Sequence, residues 1–473
     1  MIKKVILLSV LFFASPVYAQ TASEYTLKVS SKISNQGSGK PPGFSEYKEY
    51  PTRALNTLIG YQPNDKIKLD KYGGRMDMHG KFTGFYHVEK LNGRWWSIDP
   101  DGYCFIHKGM NNVVMSRSGN AKDGFDNQFS GSKDWAVKTT EMLENLGFNG
   151  LGAWSSVEDF KSLPAAIRPM AYTVSMDFMG SYGRKKGAYQ QSGHLGYPDD
   201  AIFVFDKEFE AYCDTYAKQL AKNKNDKNLY GYFSDNELPF YRKTLDNFLS
   251  KKDTTDIGYL SARKWLQEHH ISRDSINDIY RNQFLGFVAE RYFSQVAKAI
   301  KKYDPNHMYI GCRFNGYPKS VPEVLKAAGK YLDAVSINYY NQWTPQVADM
   351  QHWGEWAGKP FLITEWYTKG EDSGMGNFAG AGWVVKTQDD RGLFYQNFTL
   401  GLMESVNCVG WHWFKYQDND PANKNVDPSN TDANKGILDI HYKSYTPLTN
   451  KMKELNDQAY SLIDFFDKRN KTQ

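Results

Sequence analysis

A strand-like apolar run followed by a helix-like run, repeated along most of the chain, sets the narrowest limit on what this sequence can become. The rhythm is preceded by a hairpin. Phe85-Tyr-His-Val-Glu-Lys and Trp95-Trp-Ser-Ile-Asp99 flank Leu91-Asn92-Gly93-Arg94, and Asn-Gly between two alternating runs is a tight-turn signal. Tyr103 to Met110 reads as the next strand and stops at Asn111-Asn112. Helical spacing over Trp135 to Leu146 then ends at Gly147, a helix-stop residue. Further strands are read over Phe148 to Trp154, Pro169 to Met176, Leu229 to Glu237, Met308 to Phe314, Ala334 to Tyr340, Pro360 to Trp366 and Cys408 to Phe414. Helical sequence separates them over Phe205 to Lys222, Ile276 to Tyr303, Val321 to Gly329, Val347 to Ala357 and Asp390 to Ser405. Counted from Tyr103, about eight strands each carry helical sequence after them, which predicts an α/β fold of the (β/α)8 TIM barrel kind. The N-terminal hairpin is expected to close the barrel floor. A long charged insertion, Leu238 to Ser275, follows the fourth strand. A doubly wound open sheet is the competing fold, but the glycine-rich phosphate loop it would carry after its first strand is absent.

The first 19 residues read as a signal peptide. Lys3 and Lys4 precede an apolar run from Val5 to Phe13, and Val17-Tyr18-Ala19 fits a cleavage site. The expected location is therefore secreted or periplasmic. Residues 20–84 read as an N-terminal extension, partly irregular around Gly37 to Gly43, and 85–473 as the barrel. No later run is long and apolar enough for a membrane span in the mature chain. The formal net charge of +5 includes Lys3 and Lys4 and is not gathered into a basic stripe, which argues against a nucleic-acid binder. Four scattered cysteines suggest neither a disulfide framework nor a zinc site; they read as small buried hydrophobes, with one bridge left open. Aromatic residues make up 15% of the chain, with 12 Trp and 32 Tyr. That exceeds what a core needs, and flat rings stack on the apolar faces of sugar rings. A polysaccharide or oligosaccharide is the partner this composition suggests.

Two of the strand-like runs end in glutamate. Tyr230-Gly-Tyr-Phe-Ser-Asp-Asn-Glu237 closes the fourth strand and Phe361-Leu-Ile-Thr-Glu365 the seventh. In a barrel the active site lies at the C-terminal strand ends. Two carboxyls about 5 Å apart there suit a retaining glycosidase, in which one is nucleophile and the other acid and then base. Such chemistry calls for no cofactor, and no His/Asp/Glu cluster has metal-ligand spacing. Asp418, Asp420 and Asp427 share one loop after the eighth strand and read as a solvated loop in preference to a calcium site.

Asn-Glu at the end of the fourth strand with Glu at the end of the seventh resembles glycoside hydrolase clan A, over about Phe85 to Tyr445. Within the clan, Gly231-Tyr-Phe-Ser-Asp-Asn-Glu237, Gly410-Trp-His-Trp-Phe-Lys-Tyr416 with Asp418, and Asn434-Lys-Gly-Ile-Leu-Asp439 resemble the β-agarase group. The resemblance implies a retaining hydrolase that cleaves β-linked galactan or agar-type chains by double displacement. Glu365 is then the nucleophile and Glu237 the acid/base, kept protonated with help from the Glu365 charge. Asn236 is expected at the sugar 2-hydroxyl, Tyr340 at the nucleophile, and Trp413 as the aromatic floor under the sugar. By period two Asn338 shares the Tyr340 face, while Tyr339 points into the wall. Further candidate contacts are Trp154 at the second strand end, Trp366 after the nucleophile, and Trp343 and Trp383 on loops. His194 in a Gly/Ser-rich loop and Asn111 and Asn112 after the first strand complete the set; His412 reads as core. The insertion is expected to wall off one end of the groove and favour chain-end cleavage. The competing readings are a clan relative acting on mannan, glucan or a β-galactoside, and a non-catalytic carbohydrate-binding barrel.

Overall fold

The computed structural model describes residues 23–34, 43–117, 119–164, 166–423 and 425–471; the expected signal peptide lies outside them. Eight parallel strands form one sheet: β1 (His107–Met110), β2 (Gly150–Leu151), β3 (Ala171–Ser175), β4 (Leu229–Phe233), β5 (Met308–Tyr309), β6 (Val335–Asn338), β7 (Phe361–Glu365) and β8 (Cys408–Trp413). Their order is β5-β4-β3-β2-β1-β8-β7-β6. A parallel bridge between Phe314 and Ile337 joins the continuation of β5 to β6, so the sheet returns on itself as a barrel. Each strand is followed by a helix: α1 (Ser132–Asn145), α2 (Val157–Phe160), α3 (Phe209–Ala217), α4 (Asp278–Tyr303), α5 (Pro322–Gly329), α6 (Val347–Ala357), α7 (Gln388–Glu404) and α8 (Thr446–Asn456).

Local signals explain the longer helices. Asn277 caps α4 by accepting from the N–H groups of Ile279 and Tyr280, and Thr387 with Asp390 forms a capping box at the start of α7. The stripe Phe284, Leu285, Val288, Ala289, Tyr292, Phe293 and Val296 buries one face of α4. One apolar cluster gathers Ala153, Ala171, Tyr230, Phe233, Met308, Ile310, Ala334 and Leu362 from six successive strands or their flanks. A second, larger cluster takes residues such as Leu151, Tyr172, Tyr232, Tyr309, Val335 and Ile363 against the helices. Glycines make room inside the barrel for two histidines. A Cβ on Gly150 would lie 2.0 Å from His107 Nε2, and one on Gly109 would lie 2.5 Å from His412 Cδ2. His412 is fully buried, with Nε2 2.9 Å from His107 Nδ1.

Three boundaries differ from the sequence reading, each for a physical reason. Tyr103 to Met110 is two strands. Tyr103–Phe105 belongs to an antiparallel sheet with Arg75–His79, Arg94–Ile98 and His87–Leu91, and only after Ile106 does the chain enter the barrel. Met308 to Phe314 keeps regular strand only at its start, because Gly311 (φ 85°) and Arg313 (φ 58°) turn into the left-handed region. Within the N-terminal extension the described residues form strands, and the stretch read as irregular lies outside them from Gly37 to Pro42. Leu27–Ile33 pairs antiparallel with Lys48–Thr52 and with Trp383–Val385, which in turn runs parallel to Thr368–Gly370 after β7. Tyr86 and Phe105 of the hairpin sheet pack with Tyr230, and Ser97 Oγ lies 2.7 Å from the Tyr230 hydroxyl. The insertion carries two helices, Thr244–Leu249 and Ile257–Glu268, whose Phe248 and Trp265 pack edge-on against Phe284 of α4. All four cysteines are buried and free. Among the described residues, no helix is long and apolar enough to cross a membrane.

Candidate active site

Strain gathers at the C-terminal strand ends. Asn112 after β1, Trp154 after β2, Glu237 after β4, Arg313 after β5 and Asn341 after β6 all have φ between 49° and 63°. Left-handed backbone costs a non-glycine residue about 1 kcal/mol or more and persists where the surroundings over-determine it. Here five of eight strand ends carry that cost, on the same face of the barrel.

The two glutamates are joined there by one hydrogen-bonded lattice. β7 slips by one residue against β6: Ile337 pairs with Ile363, but Asn338 pairs with Glu365. Such a slip re-aims the side chains at a strand end. Asn338 Nδ2 then donates to Glu237 Oε1 at 2.6 Å, and its Oδ1 accepts from Thr364 Oγ1 at 2.9 Å. The Tyr340 hydroxyl donates to Glu365 Oε1. Arg313 is buried and donates to Glu365 Oε2, to the Thr364 carbonyl at 3.1 Å and to Asn236 Oδ1 at 2.9 Å. A guanidinium fork is suited to holding two such partners at once. Withdrawal from water, then the Glu365 charge, pushes the Glu237 carboxyl up to about 7, against the opposing pull of Asn338, Arg313 and Asn315. Two residues earlier in the chain, buried Asp235 accepts from the N–H groups of Met179 and Gly180 at 3.0 and 2.9 Å. Burial, then the Asp177 charge, pushes its carboxyl up to about 8.

A cavity of about 900 Å³ opens on the Glu365 side of this lattice. The loops after β1, β2, β3 and β8 wall it, through Asn112, Trp154, His194, Phe414 and Asp427 among others, with Asn236, Arg313 and Glu365 at its base. Trp154 is 40% exposed, and the Arg313 guanidinium carbon lies 4.4 Å from its ring centre. The ring therefore lies open with a cation behind it.

The structure separates the expected contacts into two groups. Glu237, Glu365, Asn236, Asn338 and Tyr340 come together, and Trp154, His194 and Asn112 line the adjoining cavity. The other tryptophans do not reach it. Trp413 is fully buried, donating to the Lys435 carbonyl at 3.1 Å. Trp366 is buried in a stack with Phe398 and Tyr395. Trp343 donates to Thr52 Oγ1 at 2.9 Å and packs against Tyr50 and Trp383 under the N-terminal strands. These rings are wall packing, because the N-terminal sheet and α7 supply the apolar partners that open loops would have lacked. Asn338 is fully buried and bonds to protein at both ends of its amide, to the Glu237 carboxyl and to the Thr364 hydroxyl. Asn111 is likewise buried, donating to the Thr364 carbonyl. Tyr339 bonds to Asp349 within the wall. None of Leu238 to Ser275 lines the cavity. Asp418 is held by Asn434, Gly436 and Tyr445, and Asp420 by Asn120. No group of three or more His, Cys, Asp or Glu among the described residues is placed to hold a metal.

Sequence reasoning missed two residues at the site. Arg313 had the signal of a lone arginine at the end of an apolar strand. Phe414 had none beyond following Trp413; it meets Trp154 edge-on at 6.1 Å and turns the aromatic surface one residue further along β8.

An eight-stranded β/α barrel with two linked glutamates, at the ends of its fourth and seventh strands, defines the class of barrel glycoside hydrolases. No family model matches the sequence. The solved structure of BpGH50 is 34% identical, covers 93% of this chain and 96% of its own, and superposes with a TM-score of 0.82. The chain therefore belongs to glycoside hydrolase family 50. The solved agarase AgWH50C, at 20% identity, 85% and 67% coverage and a TM-score of 0.68, shares the fold. β-Agarase B of Vibrio sp. (strain JT0107) is 25% identical over 498 residues, covering 83% of this chain. β-Agarase A of the same strain is 26% identical over 372 residues, covering 69% of it. The chain spans about half the length of β-agarase B and 36% of that of β-agarase A.

Proposed function

We propose that this protein hydrolyses a β-linked galactan of the agar type by double displacement, with retention at the anomeric carbon. Glu365 attacks the anomeric carbon while Glu237 protonates the departing oxygen. Water, deprotonated by Glu237, then releases the sugar from Glu365. The observation that carries the reading is the unequal surroundings of the two carboxyls. Glu365 accepts from the Arg313 guanidinium and the Tyr340 hydroxyl. Glu237 is pushed up to about 7 by burial and by the Glu365 charge, the state a general acid needs at neutral pH. Membership in family 50 supports the glycosidic chemistry. The agarases among its relatives support the choice of galactan. Trp154, Phe414, His194, Asn112 and Asn236 are the proposed sugar contacts. The hairpin sheet is proposed as the barrel floor, residues 85–473 as the catalytic unit, and the chain as exported through its N-terminal leader.

The test is product release from agarose, porphyran, β-galactan, mannan and β-glucan oligosaccharides, with Glu365→Gln as control. Release from a galactan that disappears in the variant supports substrate and site together. Release only from mannan or glucan overturns the galactan assignment, and tight binding without release moves the protein to a carbohydrate-binding role.

A further inference from the structure

Two loops from strands that are not neighbours meet across the cavity. β3 and β8 are separated by β2 and β1 in the barrel. Yet Gly193, in the loop after β3, donates its N–H to both carboxylate oxygens of Asp427, in the loop after β8, at 3.1 Å each. Gln190 Nε2 reaches the same carboxylate at 3.3 Å. Both sides of the joint are anchored. The Gly193 carbonyl accepts from Asn236 Nδ2 at 3.2 Å, and Asn236 is held in turn by Arg313. The Asp427 carboxylate accepts from the Ser429 N–H at 2.8 Å, and the Ser429 carbonyl accepts from buried Lys435 at 2.7 Å. The joint thus runs from the proposed nucleophile's own arginine, over the ends of β2 and β1, to the far wall.

Its position determines what it can do. Glu365, Asn236 and Arg313 line the cavity and Glu237 does not. A general acid stands beside the leaving-group oxygen, so a cavity on the nucleophile side holds the sugar units that form the glycosyl-enzyme. We propose that the Asp427–Gly193 bridge closes the glycone end of the cleft and makes Asp427 the determinant of chain-end cleavage. This rests on the hydrolase reading above. A polymer laid across the mouth from its middle would need to pass where the bridge stands; a free chain end needs only to enter beneath it. The wall that the sequence assigned to the insertion after β4 is in this view supplied from the opposite side of the barrel.

The experiment compares wild type with Asp427→Ala on dissolved agarose, following reducing ends, viscosity and product size together. The wild type is expected to release one short product while viscosity stays high. Asp427→Ala is expected to lower viscosity several-fold more per bond cut and to give a ladder of sizes. Where the alanine variant does not fold, Asp427→Ser keeps an oxygen for the Ser429 N–H but is too short for Gly193, and the same shift is expected. Gln190→Ala should shift the products in the same direction by less. A folded Asp427 variant with the wild-type product size overturns the proposal, as does a wild type that yields the ladder itself. A wild type that releases nothing from agarose or any other galactan, like its Glu365→Gln control, overturns the hydrolase reading and the bridge with it.

Discussion

The ends of β4 and β7 present the same side chain in opposite surroundings. Glu365 meets a guanidinium fork and a tyrosine hydroxyl. Glu237 accepts from Asn338 Nδ2 at 2.6 Å, feels Asn315 and Arg313 more weakly than burial and the field of Glu365, and is half-buried. The sites are not independent, because Asn338 and Arg313 touch both ends of the lattice. Donors gather on one carboxyl, while burial and then the charge of that carboxyl push the other up. Two copies of one residue type acquire two roles from what surrounds them.

The largest effect expected is at β7. Glu365→Gln keeps the shape and the Tyr340 contact but removes the nucleophile, and should lower kcat about 10⁴-fold or more on every substrate. At β4 the loss should depend on the substrate. Glu237→Gln should cost about 10²- to 10⁴-fold on natural sugar leaving groups and far less on an activated aryl leaving group, which departs without a proton. Equal losses on both substrates in the β4 variant would erase the distinction between the two glutamates.

Arg313 tests whether the two surroundings are coupled. Arg313→Met should lower kcat about 10²-fold, the scale for losing one preorganised charge-stabilising donor. Because Arg313 also pulls the Glu237 carboxyl down, the alkaline limb of the rate profile should move to higher pH in the same variant. Arg313→Lys restores the charge without the fork that reaches Glu365 and Asn236 together, so it should restore the limb better than it restores kcat. An unmoved limb in Arg313→Met would show that the arginine serves Glu365 alone.

The fold was legible in the sequence because its evidence is periodic, and periodicity survives without knowledge of tertiary partners. The glutamates were legible for a related reason: a carboxylate ending a buried strand has no packing purpose of its own. Arg313 was not, since its meaning lies in φ 58° and in three acceptors drawn from β4 and β7. The tryptophans failed in the opposite way. Trp343, Trp366 and Trp413 carry the composition of sugar platforms, but each ring is covered by a segment distant in sequence, from Tyr50 to Phe398. Trp154, at the left-handed turn after β2, stays exposed at the cavity wall. Side-chain type identified the chemistry available; only the placement of distant segments decides which rings are left uncovered.

The pH dependence of stability is the most direct measure of the difference between the two glutamates. The ordinary value for Glu237 in the unfolded chain is 4.5; in the folded chain burial, then the Glu365 charge, pushes it up to about 7. Below 4.5 both states hold the proton and the residue adds no pH dependence. Between 4.5 and about 7 the folded chain keeps a proton that the unfolded chain has lost, so stability falls as pH rises, by at most about 1.4 kcal/mol per pH unit. Above that window both states are ionised and the loss is complete. Glu237→Gln has no proton to hold, so its advantage in Tm over wild type should be near zero at the acid end, grow through the window, and level off above it. Asp235, whose carboxyl is pushed up to about 8, remains in both proteins and cancels from the difference. A difference in Tm that stays constant across the pH series would mean that folded Glu237 ionises in the ordinary carboxylate range, and that the two strand ends differ in hydrogen bonding but not in charge.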